Sequence, residues 1–455
     1  MTYLKFHAGI GSSQEISIED RRGVHLESQD YMRRAIALAK KGEGWCHPNP
    51  LVGAVIVKDG RIIGEGYHER YGDLHAERNA IRNLKESAEG ATIYVTLEPC
   101  CHHGKQPPCT EAIISSGIRK VFIGSRDPNP LVSGKGAEFL RQHGVEVVED
   151  FLRDECDELN PVFFHYITTK RPYVTMKYAM TMDGKIATKT GRSKWITGGE
   201  ARERVHVMRH AAMGIMAGIG TVLQDDPMLN SRIEGGKSPV RIICDSRLRI
   251  PLDSQIVRSA KEYRTIVSCG IREIPEGEIT KDIVSGISAD CSSDNKTNAV
   301  THGYKEKILS LLDAKVEIIN FPTNRKAYSE TEKIRQIVHE GVPVQSENHS
   351  ENSGISDKVD LKKLMAFLGE KGLDSILLEG GGSLNESALK AGIVNEIDVF
   401  VAPKIFGGNA KSPVMGTGVT DPENAYQFSL KDMERIGEDI LLRYRLPEAA
   451  GNHDV

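Results

Sequence analysis

Thr96–Cys109 reads TLEPCCHHGKQPPC, three cysteines and two histidines within fourteen positions. A cluster this dense points to a metal, yet five candidate ligands exceed the four that a tetrahedral zinc site takes. The flanks narrow the choice. Upstream, His75-Ala76-Glu77 opens HAERNAIRNLKESA (75–88), read as a helix with Ile81 and Leu84 buried. Pro99-Cys100 follows ATIYVTL (91–97), read as a strand, and Cys109 opens CTEAIISSG (109–117), a short helix closed by Gly117. One histidine and two cysteines therefore arrive from three element ends. Three protein ligands leave a fourth position for water, which separates a catalytic zinc from a structural one. Glu77 lies two residues past His75 and is free to take a proton from that water and deliver it to a leaving group. A structural knuckle of Cys100, Cys101, Cys109 and a histidine is the alternative, as is an unmetallated cluster; the knuckle leaves the placement of HAE unexplained.

The chain has 455 residues, too many for one ordinary core, so two domains are expected. Its net charge of −4 argues against a broad electrostatic surface for nucleic acid or anionic membrane, while leaving room for a local basic pocket. No apolar run approaches the roughly 18 residues of a membrane span, and the N-terminal stretch lacks the apolar core of a secretory signal. Three cysteines crowd at Cys100, Cys101 and Cys109. The others, Cys46, Cys156, Cys244, Cys269 and Cys291, are scattered and read as small buried hydrophobes. That pattern suits a reducing, cytoplasmic setting.

Residues 1–28 are polar and read as a flexible extension. YMRRAIALAKKG, from Tyr31, predicts a helix stopped at Gly42; VGAVIV, the turn Lys58–Gly60 and RIIGEGY predict a hairpin. With further strands at 120–125 and 145–150, the alternation of strands and helices indicates a layered α/β domain over 29–150. A connector, 151–171, leads into a second α/β domain, 172–446, followed by a tail at 447–455. Its expected strands are 172–180, 214–219, 240–245, 263–269, 375–379 and 396–403, and its expected helices 199–211, 360–371 and 383–391. Residues 321–359 are mostly polar and read as an inserted surface loop.

PNPLVGAVIVKDGRIIGEGYH, HAERNA and TLEPCCHHGKQPPC together resemble the deaminase half of the bifunctional riboflavin-biosynthesis deaminase–reductase family. Zinc nucleobase deaminases carry H-x-E followed by P-C-x-x-C. Here the second cysteine follows the first by nine positions, a spacing that is the norm in the resembled family. The resemblance implies a cytidine-deaminase-like three-layer domain in which His75, Cys100 and Cys109 ligate one zinc and Glu77 carries the protons. It also implies that Asn49 helps hold a pyrimidine and that Lys105 and His68 meet a substrate bearing a ribose phosphate. His102 and His103 then shape the pocket, and Cys101 is left over.

A second set of runs is PYVTMKYAMTMDGKIAT (172–188), SKWITG (193–198), GIGTVLQDDPMLNSR (218–232) and LLEGGGSLNESAL (377–389). Glycines between a strand and a helix let backbone N–H groups approach a phosphate, and a helix N-terminus favours anions. In this order the four runs resemble the reductase half of the same family, a dihydrofolate-reductase-like α/β fold. The resemblance implies NADPH contacts at Ala179, Trp195, Thr221, Asp225 and the loop of Gly381, Gly382, Ser383, Leu384, Asn385, Glu386 and Ser387. It places substrate contacts at Ser193, Arg209, Leu229, Arg232 and Glu379. Arg209 and Arg232 suit a bidentate clamp on the ribose phosphate. No histidine or tyrosine stands out as a proton donor.

The expected activity therefore has two steps. The first is zinc-dependent hydrolytic deamination of 2,5-diamino-6-(5-phosphoribosylamino)pyrimidin-4(3H)-one. The second is NADPH reduction of the ribosyl group of 5-amino-6-(5-phosphoribosylamino)uracil to ribityl. Two readings compete: a single-function enzyme keeping one half as scaffold, and a zinc-dependent nucleic-acid-binding or redox-sensing module. The expected partner is a small molecule, neither nucleic acid nor membrane, and a homo-oligomer remains open.

Overall fold

The computed structural model describes residues 27–103, 106–129, 132–271, 274–286, 295–323 and 358–447. Nearly all of the expected extension, most of the 321–359 insertion, Lys105, Cys291 and the tail beyond 447 lie outside the described residues.

Five strands form the first sheet: β1 (Gly53–Lys58), β2 (Arg61–Tyr67), β3 (Thr92–Leu97), β4 (Lys120–Ser125) and β5 (Glu146–Val148), in the order β2-β1-β3-β4-β5. β1 runs antiparallel to β2 and β3, whereas β3, β4 and β5 are parallel. The two-residue period of a strand sorts its side chains between two layers. Ala54, Ile56, Ile93 and Val95 face one core with Ile113 and Leu140. Val55, Val57 and Tyr94 face the other, against Met32 and Ala35 of the helix Ser28–Ala39 and Cys156 of the helix Arg153–Asp157. Helices therefore cover both faces, which makes three layers.

The second sheet has ten strands. They are β6 (Tyr173–Thr181), β7 (Gly214–Gly218), β8 (Val240–Cys244), β9 (Thr265–Cys269), β10 (Gly277–Ile279), β11 (Val316–Asn320), β12 (Ser375–Leu378), β13 (Glu396–Ala402), β14 (Ser429–Ile436) and β15 (Asp439–Arg445). Their order is β10-β11-β9-β8-β7-β12-β6-β13-β15-β14. The run from β11 to β13 is parallel throughout, and its strands are buried from both sides by two apolar clusters. β12 enters between β7 and β6, so the segments following these three strands gather at one carboxyl edge, where open α/β sheets bind ligands.

The helix Gly199–Ala211 and the strand Lys120–Ser125 have the expected bounds. Other elements differ. The helix expected over 75–88 ends at Arg82, because Asn83 turns its amide to the Glu65 carbonyl at 3.0 Å and Lys85 N donates to Ile63 O at 2.9 Å. Ile81 and Leu84 are consequently only half-buried. The strand expected over 145–150 is cut to three residues, with Asp150 and Leu152 turning the chain at φ of 57° and 53°. The connector 151–171 contains two helices, Arg153–Asp157 and Pro161–Thr169. The helix Asn295–Asp313 and the hairpin β14–β15 had no counterpart in the expectation.

Glycines set the distance between β2 and the helix Ala76–Arg82. A Cβ at Gly66 would stand 2.3 Å from Ala80 N, and one at Gly64 would stand 2.6 Å from Ala80 O. Gly66→Ala is expected to destabilise the first domain by about 1–3 kcal/mol through overpacking. Hydrogen exchange resolved to each sheet would show faster opening of β1–β3 while β6–β9 keep their protection.

Candidate active sites

The helix Ala76–Arg82, seated on the glycines of β2, carries the first cluster. His75 is its N-cap residue and Glu77 lies in its first turn, 3% exposed. Cys100 follows β3 by way of Glu98-Pro99, and Cys109 is the first residue of the helix Cys109–Ser115. The Cys100 and Cys109 sulfurs stand 3.6 Å and 3.4 Å from His75 Nδ1, and the three ligand atoms all lie within 4.8 Å of one another. Zinc bonds of about 2.0–2.3 Å at tetrahedral angles separate donors by roughly 3.4–3.8 Å, so the donor set fits that ion. The two thiols differ sharply. Cys100 is held down to about 4, chiefly by a hydrogen bond with Cys109 and further by His75. The same bond, with burial, pushes Cys109 well up. Metal binding requires both sulfurs as thiolates and so releases protons from the cluster. Burial first, and then the Cys100 charge, raise the Glu77 carboxyl above its ordinary value, the direction that favours a proton carrier.

Two neighbours, His68 and Asn49, pack in sequence beside the cluster. His68, 2% exposed, faces the carbonyl of Leu74 through Nδ1 at 3.1 Å and Asn49 Nδ2 through Nε2 at 3.2 Å. Burial lowers its pKa, so the neutral ring donates from Nδ1 and accepts at Nε2. Its ring meets that of His75 edge-on at 5.4 Å. His68 therefore stands against the cluster, with Asn49 next to it. Cys101, half-buried, is outside the donor set, and His102 has a buried Nδ1 without a hydrogen-bond partner. Lys105 lies outside the described residues.

Sequence reasoning missed the groups that aim these ligands. The Glu98 carboxylate accepts from the backbone N–H groups of Gly134, Gly136 and Ala137 at 3.0, 2.9 and 3.2 Å. It thereby pins the segment carrying Cys100 to a helix start. Arg78 donates to the Pro107 and Pro108 carbonyls at 3.0 and 2.8 Å, fixing the approach to Cys109. An acid directly before Pro-Cys was the available signal for the first; nothing local marked the second.

The second cluster lies at the carboxyl edge of the large sheet. Glu379, just past β12, receives Arg209 Nε at 2.7 Å and Nη2 at 2.9 Å, with Lys177 Nζ at 3.3 Å. Burial alone would raise this carboxyl, but Lys177 and Arg209 hold it well below the usual carboxylate range. The open phosphate clamp expected of Arg209 is therefore not formed. Its fork is closed on Glu379, and its remaining Nη1 donates to Asn230 O at 3.2 Å. Arg232 is exposed; with burial and Arg209 it lowers the pKa of His206, a residue sequence reading passed over. Lys177 was missed too, because its partner is 202 positions away.

Ala179, Ser193, Thr221 and Asp225 occupy β6, the segment after it and the helix Ile219–Asp225. Trp195 is 64% exposed, which removes a core role, and the Arg202 guanidinium lies 4.7 Å over its ring. Lys404 holds the Trp195 and Ile196 carbonyls at 3.0 and 2.6 Å. The Leu229 side chain is in the core at φ 50°, so only its backbone can face a ligand. Gly381 caps the helix Gly382–Lys390, which contains Ser383, Leu384, Asn385, Glu386 and Ser387. Glu386 is ion-paired with Lys390. Asn385 is fully buried, donating to Pro413 O at 2.9 Å, with Oδ1 unpartnered.

Two family models match the chain. One, the cytidine and deoxycytidylate deaminase zinc-binding region, matches residues 26–125, and the other, the RibD C-terminal domain, matches 172–284 and 300–442. Riboflavin biosynthesis protein RibD of Actinobacillus pleuropneumoniae is 51% identical over 416 residues, 91% of this chain and 94% of that protein. The protein of the same name from Escherichia coli (strain K12) is 33% identical, over 92% of this chain and 99% of its own length. Among solved structures, Acinetobacter baumannii RibD, form 1, aligns with TM-score 0.70 at 32% identity, covering 92% of this chain and 99% of that one. A Thermotoga maritima diaminohydroxyphosphoribosylaminopyrimidine deaminase/5-amino-6-(5-phosphoribosylamino)uracil reductase aligns with TM-score 0.68 at 34% identity, covering 92% and 98%.

Metal analysis of purified variants tests the donor set. Cys100→Ser is expected to lose most bound zinc, whereas Cys101→Ser retains the wild-type content; zinc loss in Cys101→Ser would contradict the assignment.

Proposed function

The chain belongs to the RibD family of bifunctional riboflavin-biosynthesis deaminase–reductases, and we propose that its two clusters divide the two reactions between them. The observation that carries this reading is the convergence of His75, Cys100 and Cys109 within 4.8 Å, with the buried Glu77 in the same helix turn. We assign deamination to residues 29–150 and reduction to 172–446. In the first, His75 Nδ1 and the Cys100 and Cys109 sulfurs hold zinc, which supplies Lewis acidity and activation of water when bound. Glu77 accepts a proton from the attacking water and returns it to the amine leaving C2 of the diaminopyrimidinone, which departs as ammonia. The Asn49 amide, oriented by its Nδ2 contact with His68, keeps its oxygen for a pyrimidine N–H. Lys105 is assigned to the ribose phosphate as a flexible point charge.

In the second domain the cofactor is NADPH, held by Ala179, Trp195, Thr221, Asp225 and the segment 381–387. The helix that begins at Gly382 turns its N-terminus to the crevice, an arrangement that favours phosphate. NADPH, when bound, would supply a hydride for the ribose C1 of the deaminated product in its ring-opened form, which Ser193, Arg232 and the Leu229 backbone are assigned to hold. The Lys177 ammonium, oriented by Glu379 and opposite Arg209, supplies the accompanying proton. Proximity and orientation account for most of this step. A cytoplasmic location agrees with the described cysteines, all of them free, and with the lack of any membrane-crossing helix among the described residues.

Glu77→Gln is expected to lower ammonia release by about 10²–10⁴-fold, with zinc content and NADPH oxidation on the deaminated substrate retained. Assaying both half-reactions on one preparation also separates this reading from a single-function enzyme. Lys177→Met should give the converse pattern, with intact deamination and slowed NADPH consumption at saturating substrate. A wild-type rate in that assay would remove Lys177 from the proton step.

A further inference from the structure

The seam between the domains contains a direct side-chain contact, His47 with Asp374. The loop 43–49 of the deaminase domain ends at Asn49 and is gripped from both sides. On its own side, the Cys46 thiol donates to His68 O at 2.9 Å, Tyr71 N donates to Trp45 O at 3.1 Å, and Asn49 Nδ2 meets His68 Nε2 at 3.2 Å. From the reductase domain, Asp374 Oδ2 meets His47 Nδ1 at 2.6 Å, and the His210 ring packs edge-on against Trp45 at 4.9 Å. Gly44, at φ 77°, backs onto the same His210, where a Cβ would stand 2.6 Å from Nε2. A cavity of about 430 Å³ continues along this seam, with Asn49 on one wall and Thr175 and Leu377 on the other.

The Asp374 side chain is 1% exposed, and its second oxygen accepts from Ser375 Oγ at 2.6 Å. Burial acts to lower the His47 pKa, but the hydrogen bond and charge of Asp374 outweigh it and the value is raised. Asp374 therefore holds His47 in place, and removing either partner leaves a buried polar group without its hydrogen-bond partner. His47 stands two positions before Asn49, and Asn49 N donates to Cys46 O at 2.8 Å, so the loop transmits a shift of His47 to Asn49.

We propose that the reductase domain completes the deaminase site: Asp374, acting through His47, is a positioning residue that sets the Asn49 amide in the pyrimidine pocket. The proposal rests on the assignment of Asn49 to that pocket. It makes deamination dependent on a side chain at the start of β12, whose far end leads to Glu379 in the other active site. Linkage of the two domains on one chain then has a structural purpose apart from any transfer of intermediate.

The test uses Asp374→Asn, His47→Gln and the double variant in the full-length, zinc-loaded protein. Each single variant is expected to raise the deaminase KM about tenfold with kcat within about twofold, since small displacements of a positioning group cost 10–100-fold. Zinc content and the reductase kinetics should match the wild type. Because the two residues act as one pair, the double variant should be no worse than the worse single variant. An unchanged deaminase KM in Asp374→Asn overturns the proposal. So does an additive double variant, or a parallel loss of both half-reactions with an earlier unfolding midpoint. Failure of the wild-type chain to release ammonia would instead overturn the deaminase reading, which the variant-to-wild-type ratio does not address.

Discussion

A helix backbone comes to rest on a β-strand only where that strand has no side chains in the way, and β2 opens the gap at Gly64 and Gly66. The helix Ala76–Arg82 drops into it, which brings its N-terminus to the level of the β3 carboxyl end. His75 and Glu77 thereby meet a cysteine that leaves β3 and another that starts the next helix. None of these groups sits on a free loop. Glu98 clamps one approach through three amide N–H groups, and Arg78 clamps the other through two carbonyls. Such supporting contacts hold a ligand set to the narrow tolerance that metal geometry demands.

The reductase cluster is held by a different force. Glu379, Arg209 and Lys177 form a mostly buried ion cluster in which two cations share one carboxylate. Taking charges out of water is unfavourable unless each finds its partner, so the three side chains fix one another at the carboxyl edge of the large sheet. The cluster retains a net positive charge, which suits a phosphate-bearing substrate and a phosphate-bearing cofactor. Asp183 reinforces the rim: its carboxylate accepts from Phe406 and Gly407 N–H at 3.1 and 2.7 Å, and hydrogen bonding to Thr181 helps hold its pKa down to about 2.

The His75, Cys100 and Cys109 cluster was legible because metal chemistry restricts both residue type and spacing: HAE, PC and a cysteine at a helix start leave few other meanings. Six of the seven parallel strands of the large sheet were legible as short, largely apolar runs such as VRIIC and SILL, whereas β11 was not. Long-range partnerships were not. Asp374 and His47 are 327 positions apart, and Arg209 and Glu379 are 170 apart, so no local pattern links them. The Arg209–Glu379 pairing was hidden for this reason, since Glu379 was itself read as a substrate contact. The hairpin strand β14 escaped notice because SLKDMERI is exposed almost throughout and lacks the alternation that marks a half-buried strand. The helix over 75–88 was overextended because apolar spacing says nothing of Asn83, whose side chain competes for the backbone.

The polar insertion leaves the large sheet and returns to it at one place: Thr323 N donates to Lys358 O at 3.0 Å, and Pro322 bridges Val359. Two ends already joined in this way make the length between them nearly a free variable, because closure entropy grows only with the logarithm of loop length, by about 0.6 kcal/mol per doubling. The hydrogen-bonded base holds residues 321–323 and 358–359 side by side, so the register of β9 and β11 does not wait on closing the chain between them.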